Sequence, residues 1–138
     1  MKMRLEYVTV LVKDQNAALK FYTQKLGFEM KEDDKSVPGM RWLSVAPKGQ
    51  DDCVRISLSK PSVKMMGAKV ANDLKKRIGK NPTWVLETDD CKGMYESLKS
   101  KGVKFTNPPE DMPWGVSCVF LDLYGNPYNL VQPKPRTG

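Results

Sequence analysis

The segment ALKFYTQKLGF, residues 18–28, decides the fold of this chain. Its apolar side chains recur at the spacing of one helix face: Ala18, Phe21, Tyr22 and Leu26. Gly27 then stands where a helix often ends on a residue with positive φ. The segment therefore predicts an amphipathic helix that ends at Gly27.

A buried strand is predicted directly before this helix. The segment YVTVLV, residues 7–12, is β-branched and apolar, which is typical of a strand covered on both faces. Asp14 follows it as a candidate N-cap, because its carboxylate can accept hydrogen bonds from the first free N–H groups of the helix. Three more strands are predicted after the helix, at residues 28–31, 41–45 and 53–58.

The same order of elements recurs in the second half. The segment TWVLET, residues 83–88, predicts a strand, and Asp90 predicts the cap of a second helix. Tyr7 and Asp14 are seven positions apart, as are Thr83 and Asp90. Three strands again follow, at residues 103–105, 115–121 and 128–131. The chain therefore predicts two tandem βαβββ modules, since one such module leaves a bare sheet face that a second can cover.

Residues 61–81 lie between the modules and predict a short amphipathic helix. Apolar residues recur there at every fourth position: Met66, Val70, Leu74 and Ile78. This pattern favours a linker helix docked outside a sheet, and a mobile lid over a pocket is the alternative.

The chain is basic, but its charge pattern does not indicate a nucleic-acid partner. Its 138 residues include 23 Lys and Arg against 16 Asp and Glu, a net charge of +7. The basic residues are dispersed, and no aromatic RNA-binding motif, helix-turn-helix pattern or zinc finger accompanies them. There is also no apolar signal region and no run long enough to span a membrane. We therefore expect a cytoplasmic protein with no membrane partner.

Few side chains are suited to catalysis. The chain has no histidine, and its cysteines, Cys53, Cys91 and Cys118, have neither the spacing of a disulfide framework nor that of a zinc knuckle. Small buried hydrophobic residues in a reducing compartment are the simplest interpretation of them. A nucleophilic Cys or Ser would need a neighbouring base, and no histidine can supply one.

Several motifs taken together point to one family. In the first half they are residues 8–14 and 18–28. In the second half they are ETDD at 87–90, PWG at 113–115 and DLYGNP at 122–127. Through these motifs the chain resembles the vicinal-oxygen-chelate superfamily, which holds glyoxalase I, the bleomycin-resistance proteins and the extradiol dioxygenases. The resemblance covers nearly the whole chain except the linker.

The resemblance implies an α+β fold in which two tandem βαβββ modules form a cupped mixed sheet with helices packed outside. It implies a single domain over residues 1–138, with modules at about 4–60 and 82–134 and the linker helix at about 61–81. Members of this superfamily commonly dimerise, so a homodimer is expected.

In metal-using members, the resemblance implies one ligand from each of four strands, usually His or Glu. Carried onto this sequence, the four positions are Tyr7, Arg55, Thr83 and Asn129. Arg has no lone pair to offer a metal and stays charged, and Tyr and Thr are poor metal ligands at neutral pH. Of the four residues, only Asn129, through its amide oxygen, could coordinate a metal. We therefore expect no metal, no other cofactor and none of the chemistry that a metal supports.

The same positions define a candidate ligand-binding pocket. Residues two apart on a strand share a face, which adds Thr9, Ser57 and Glu87. Trp114, between Pro113 and Gly115, is the best placed of the three tryptophans for a pocket rim. The candidate site residues are Tyr7, Thr9, Arg55, Ser57, Thr83, Glu87, Trp114 and Asn129.

Two roles are open for Arg55. Its guanidinium can clamp the carboxylate or phosphate of an anionic ligand, beside an aromatic surface. Alternatively, it pairs with Glu87 across the cup and fills the pocket.

These observations favour a metal-free small-molecule-binding protein that sequesters a drug or a metabolite, rather than an enzyme. No catalytic residue is predicted. Two alternatives stay open: a metal-dependent lyase or dioxygenase with an atypical ligand set, and a non-catalytic dimeric interaction module.

Overall fold

The computed structural model describes residues 1–50 and 54–135. The chain divides into two compact units, Met1–Lys80 and Asn81–Gly138, called unit 1 and unit 2 below. Each unit combines one or more helices with an open mixed sheet, which confirms the α+β class. None of the helices in the described ranges combines the length and the apolar character that a transmembrane helix needs.

The described part of unit 1 contains one four-stranded sheet. Its strands are β1 (Tyr7–Leu11), β2 (Glu29–Asp34), β3 (Trp42–Ala46) and β4 (Arg55–Ser59). They lie in the order β1-β4-β3-β2, with β1 parallel to β4 and the other neighbours antiparallel.

The decisive segment forms helix α1, Gln15–Lys20, and continues as a π-helical turn, Phe21–Lys25. The predicted cap is confirmed, because Oδ1 of Asp14 accepts a hydrogen bond from the Ala17 N–H at 3.0 Å. The sequence predicts one regular helix and does not predict this π-helical turn. It arises because the Leu26 N–H donates to the Phe21 carbonyl, five residues back, at 3.2 Å.

Strand β2 is longer than the strand predicted at residues 28–31. Arg41 donates to both carboxylate oxygens of Asp33, from Nε at 2.8 Å and from Nη2 at 2.9 Å. This bidentate pair supports antiparallel pairing through residues too polar to be recognised as a strand. The strand also carries a β-bulge between Met30 and Glu32, in which Lys31 is the extra residue.

The predicted linker helix is two helices, α2 (Val63–Met66) and α3 (Ala68–Lys75), and both belong to unit 1. Gly67 separates them with a φ of +85°, which a residue with a side chain rarely adopts. The predicted apolar stripe is also wrong at Val70, which is 49% exposed, whereas Ala71 is fully buried. The break at Gly67 restarts the helix and changes the face that it buries.

The described part of unit 2 contains helix α4, Cys91–Ser100, and one five-stranded sheet. The strands are β5 (Trp84–Glu87), β6 (Lys104–Phe105), β7 (Glu110–Met112), β8 (Gly115–Leu121) and β9 (Pro127–Pro133). Their order is β5-β9-β8-β6, with β7 also paired to β8 and β5 parallel to β9. Strand β7 is not predicted from the sequence, because its residues are largely acidic and follow two prolines.

Buried residues of α4, β8 and β9 form the core of unit 2. The rings of Phe120 and Tyr128 stack with their centroids 5.3 Å apart. The Sγ atoms of Cys91 and Cys118 lie 3.7 Å apart, and burial raises the pKa of the Cys118 thiol to about 12. These two cysteines are thus buried and free, as predicted, and Cys53 lies outside the described residues.

The turn between β8 and β9 is held by one buried carboxylate. Oδ1 of Asp122 accepts hydrogen bonds from the N–H groups of Tyr124 at 2.9 Å and Asn126 at 2.8 Å. Its Oδ2 accepts a third from the Asn126 side-chain amide at 2.9 Å. The DLYGNP motif is therefore a structural turn, in which Gly125 alone supplies a positive φ, of +90°, among residues 122–127.

We predict that Asp122→Ala lowers the free energy of unfolding by about 3 kcal/mol, because it leaves buried N–H donors without an acceptor. Urea denaturation measures the change. Leu123→Ala, in the same turn at an exposed position, is the control and should stay within about 0.5 kcal/mol of the wild type. An equal loss in both variants would contradict the role assigned to Asp122.

Candidate functional site

The candidate residues of unit 1 share one face of its sheet. Tyr7 lies beside Arg55 in the parallel pair of β1 and β4, and Thr9 lies beside Ser57. Ser57 also lies opposite Ser44 of β3. The alternation expected from the sequence therefore places all four candidates on the same face.

The centre of this face is Glu32 of β2, which lies opposite Ser44. Among the described residues, its Oε1 accepts hydrogen bonds from Tyr7 Oη at 2.6 Å, Ser44 Oγ at 2.9 Å and Trp42 Nε1 at 3.3 Å. Arg55 Nη1 lies 3.4 Å from the same oxygen. The Tyr7 and Trp42 rings also meet edge to face, with centroids 4.9 Å apart. We call these five residues the Glu32 cluster.

The cluster stabilises the ionised form of Glu32. The hydrogen bond from Tyr7 is the largest of several that hold the pKa of the Glu32 carboxyl below its ordinary value. The same bond raises the pKa of the Tyr7 phenol, because a phenolate beside the carboxylate would lose it. Both shifts keep Glu32 a carboxylate acceptor and Tyr7 a phenol donor at neutral pH.

Sequence reasoning missed Glu32, Trp42 and Ser44. Simple alternation from Glu29 places residues 31 and 33 on the site face and Glu32 on the other. The bulge at Lys31 reverses this, so that Glu29 and Glu32 share a face although they are three residues apart. The carboxylate that pairs with Arg55 is accordingly Glu32, whereas the internal partner considered from the sequence was Glu87.

Comparison of the two modules identifies the residue of unit 1 that corresponds to Asn129 of unit 2, and it differs from the one expected from the family resemblance. Thr9 and Val85 correspond, since each lies five positions before its capping aspartate. Thr9 lies beside Ser57, and Val85 lies beside Asn129. Ser57, rather than Arg55, is therefore the counterpart of Asn129 in unit 1.

The family's metal positions do not fit a metal in this chain. Tyr7 and Arg55 both direct donor groups at Glu32, and Ser57 in place of Arg55 adds only a neutral hydroxyl. In the described ranges, no three His, Cys, Asp or Glu side chains lie close enough together to hold an ion. We therefore assign no chemical step to a metal here.

The candidates of unit 2 are less closely grouped. Val85 lies beside Asn129, and Glu87 beside Val131, so Glu87 and Asn129 share a face. Oδ1 of Asn129 is the one buried side-chain oxygen or nitrogen without a hydrogen-bond partner among the described residues. Thr83 is exposed directly before β5, and Trp114 is 52% exposed directly before β8.

A cavity of about 390 Å³ lies on the Glu32 face of unit 1. Its floor is formed by Trp42 of β3 and by Ser57 and Ser59 of β4. Its walls are α2 and the loop before β3, which touch where Gly39 packs against the Lys64 side chain. The apolar wall residues are Met40, Val63, Met65 and Met66.

Gln15, which lines the cavity, is itself fixed by two hydrogen bonds. Its side-chain amide donates to the Arg41 carbonyl at 3.0 Å and to the Leu58 carbonyl at 2.9 Å. These bonds tie the first residue of α1 to β4 and to the start of β3. The sheet side of the cavity is thereby held rigidly, whereas α2 is joined to α3 through Gly67.

We predict that Glu32→Gln lowers the stability of the protein at neutral pH but not in acid. A carboxyl whose pKa is lowered on folding stabilises the fold above its ordinary pKa of 4.5. That contribution is lost as the pH falls through the lowered value. Urea denaturation at neutral pH and well below 4.5 should therefore show wild type and variant converging in acid. The exposed Glu96→Gln is the control, and an undiminished difference in acid would contradict the prediction.

Comparisons with known proteins agree with this description. A sequence model of the Glyoxalase/Bleomycin resistance protein/Dioxygenase superfamily matches residues 4–130. The protein YetH of Bacillus subtilis (strain 168) is 37% identical over 123 residues, which cover 89% of this chain and 92% of YetH.

Two crystal structures are similar over nearly the whole chain. UcmS2 has a TM-score of 0.82 and 34% identity, with 95% of this chain and 98% of that chain covered. TnmS3, an antibiotic binding protein from Streptomyces sp. CB03234, has a TM-score of 0.76 and 31% identity, with coverage of 96% and 98%. By sequence and by fold, this chain belongs to the Glyoxalase/Bleomycin resistance protein/Dioxygenase superfamily.

Proposed function

We propose that this protein is a metal-free binding protein that sequesters a small aromatic molecule, a drug or a metabolite, in the cytoplasm. The observation that carries the proposal is the cavity of about 390 Å³ between α2 and the sheet of unit 1. Its volume lies in the range of pockets that hold drug-sized ligands.

The lining of the cavity suits an aromatic ligand. Met40, Met65 and Met66 supply flexible, polarisable side chains that adapt to a ring. Trp42 supplies an aromatic side chain whose position is fixed by its ring contact with Tyr7 and its hydrogen bond to Glu32. Serines and Gln15 add neutral polar groups, and Arg41 (paired with Asp33) and Lys60 add charged ones. An apolar lining with a few polar groups is the usual composition of a small-molecule site.

The side chains around the cavity support binding rather than catalysis. A general base works best with a pKa near the operating pH, and the hydrogen bonds to Glu32 move its pKa the other way. The chain has no histidine to take that role. The relative TnmS3, described as an antibiotic binding protein, supports the same class of function.

Helix α2 is the element suited to move when a ligand binds. It has only four residues, ends at Gly67, and leaves Val63 and Met65 about half exposed. A ligand in the cavity would cover these side chains. We therefore propose that α2 acts as the mobile lid, which was the alternative interpretation of the linker, and that α3 supports it.

We predict saturable binding of at least one aromatic antibiotic or metabolite, measured by quenching of tryptophan fluorescence and by calorimetry across a panel of such compounds. Met65→Lys should weaken it about fivefold or more, because burial of the Met side chain is lost. Met94→Lys, the same change at an exposed Met on α4, is the matched control. Absence of binding across the panel, or equal loss in both variants, would contradict the proposal.

The homodimer implied by the family stays a prediction. Light scattering of the full chain should give twice the mass of one chain, and a mass that stays at one chain across the accessible concentrations would contradict it.

A further inference from the structure

We infer that the Glu32–Arg55 pair selects the charge of the ligand, favouring an uncharged aromatic molecule over the same molecule carrying a carboxylate. This inference rests on the proposed function, since it concerns what the cavity of unit 1 binds. Of the two roles that the sequence leaves open for Arg55, it favours an internal ion pair over the clamping of an anionic ligand.

The first step is that the pair lies beside the cavity, next to residues that line it. Trp42 lines the cavity and donates from Nε1 to Glu32. Ser57, also in the cavity floor, lies opposite Ser44, which donates to the same carboxylate. A ligand seated on Trp42 therefore lies next to the cluster.

The second step is that Arg55 and Glu32 each already have the opposite charge beside them. Arg55 Nη1 lies 3.4 Å from Glu32 Oε1, so an anion that approaches the guanidinium also approaches a carboxylate. A cation that approaches Glu32 likewise meets Arg55. The side chains are 34% and 33% exposed, and a ligand that covers them strengthens these repulsions by excluding water.

The third step is that the cluster keeps hydrogen-bonding capacity for a neutral ligand. The contacts of Glu32 among the described residues all fall on Oε1, which leaves Oε2 as an acceptor. The Arg55 side chain meets Glu32 through one nitrogen and has five N–H groups in all. An amide, or a carbonyl beside a hydroxyl, offers the matching acceptor and donor. The ligand class is therefore a planar aromatic molecule with such a neutral polar group.

Three probes of one shape test this inference: 2-naphthamide, 2-naphthoate and 2-naphthylmethylammonium, titrated by calorimetry at neutral pH. The wild type should bind the amide most tightly. Glu32→Gln should strengthen binding of naphthoate about fivefold relative to the amide, because a repulsion of about 1 kcal/mol is removed. Arg55→Gln should likewise strengthen binding of the ammonium probe about fivefold relative to the amide. The double variant should again prefer the amide.

The controls distinguish failure of the proposed function from failure of this inference. Glu96→Gln, an exposed position on α4 with the same change in net charge, should leave the order of the probes unchanged. Circular dichroism and urea denaturation identify any variant that does not fold, and Glu32→Asp then takes its place with a reduced preference expected. If no probe binds any form of the protein, the proposed function fails. If the probes bind and naphthoate gains nothing in Glu32→Gln, this inference alone is overturned.

Discussion

One carboxylate oxygen links the four described strands of the first sheet. Oε1 of Glu32, on β2, accepts from Tyr7 on β1 and from Trp42 and Ser44 on β3, and it meets Arg55 on β4. Ionised acceptors form the stronger hydrogen bonds, and several donors directed at one oxygen stabilise its charge. The site face of this sheet is therefore organised around a fixed anion that belongs to the protein.

The two units share one backbone arrangement but carry different side chains on the corresponding sheet face. Both keep a parallel pair between the first and last strands, and both begin their helix with an aspartate cap. In unit 1, charged and aromatic side chains fill the site face. In unit 2, the corresponding strands present Val85, Glu87, Asn129 and Val131. The repeat therefore preserves the backbone framework, while the chemistry of the face differs with a few side chains.

Much of the framework could be predicted from the sequence because its signals are local. Apolar spacing, the caps at Asp14 and Asp90 and the turn at Gly27 each depend on residues near in sequence, and the structure has the corresponding elements. Alternation on a strand likewise placed Tyr7, Arg55 and Ser57 on one face. Hydrophobic periodicity did not reveal the break at Gly67, since a single glycine interrupts a helix without changing the apolar pattern around it.

The centre of the site could not be predicted, because it depends on pairing between distant strands. Glu32 lies in a run of charged residues that is typical of a turn. Only the pairing of β2 with β3, supported by Asp33 and Arg41, makes that run a strand. The direction in which Glu32 points then depends on a bulge, and a bulge is defined by the partner strand rather than by its own residues.

The bulge at Lys31 makes the pairing register of β2 a determinant of the chemistry of the site face. If Lys31 paired with Ser44 instead of bulging, β2 would alternate regularly and the Glu32 side chain would turn to the opposite face, with every residue of the cavity unchanged. Tyr7 and Trp42 would then lose the carboxylate that accepts their hydrogen bonds, and the ammonium of Lys31 would take its place opposite Ser44. The register of one strand therefore decides the sign of the charge at the centre of this face, and a comparison of residue identities alone would not reveal it.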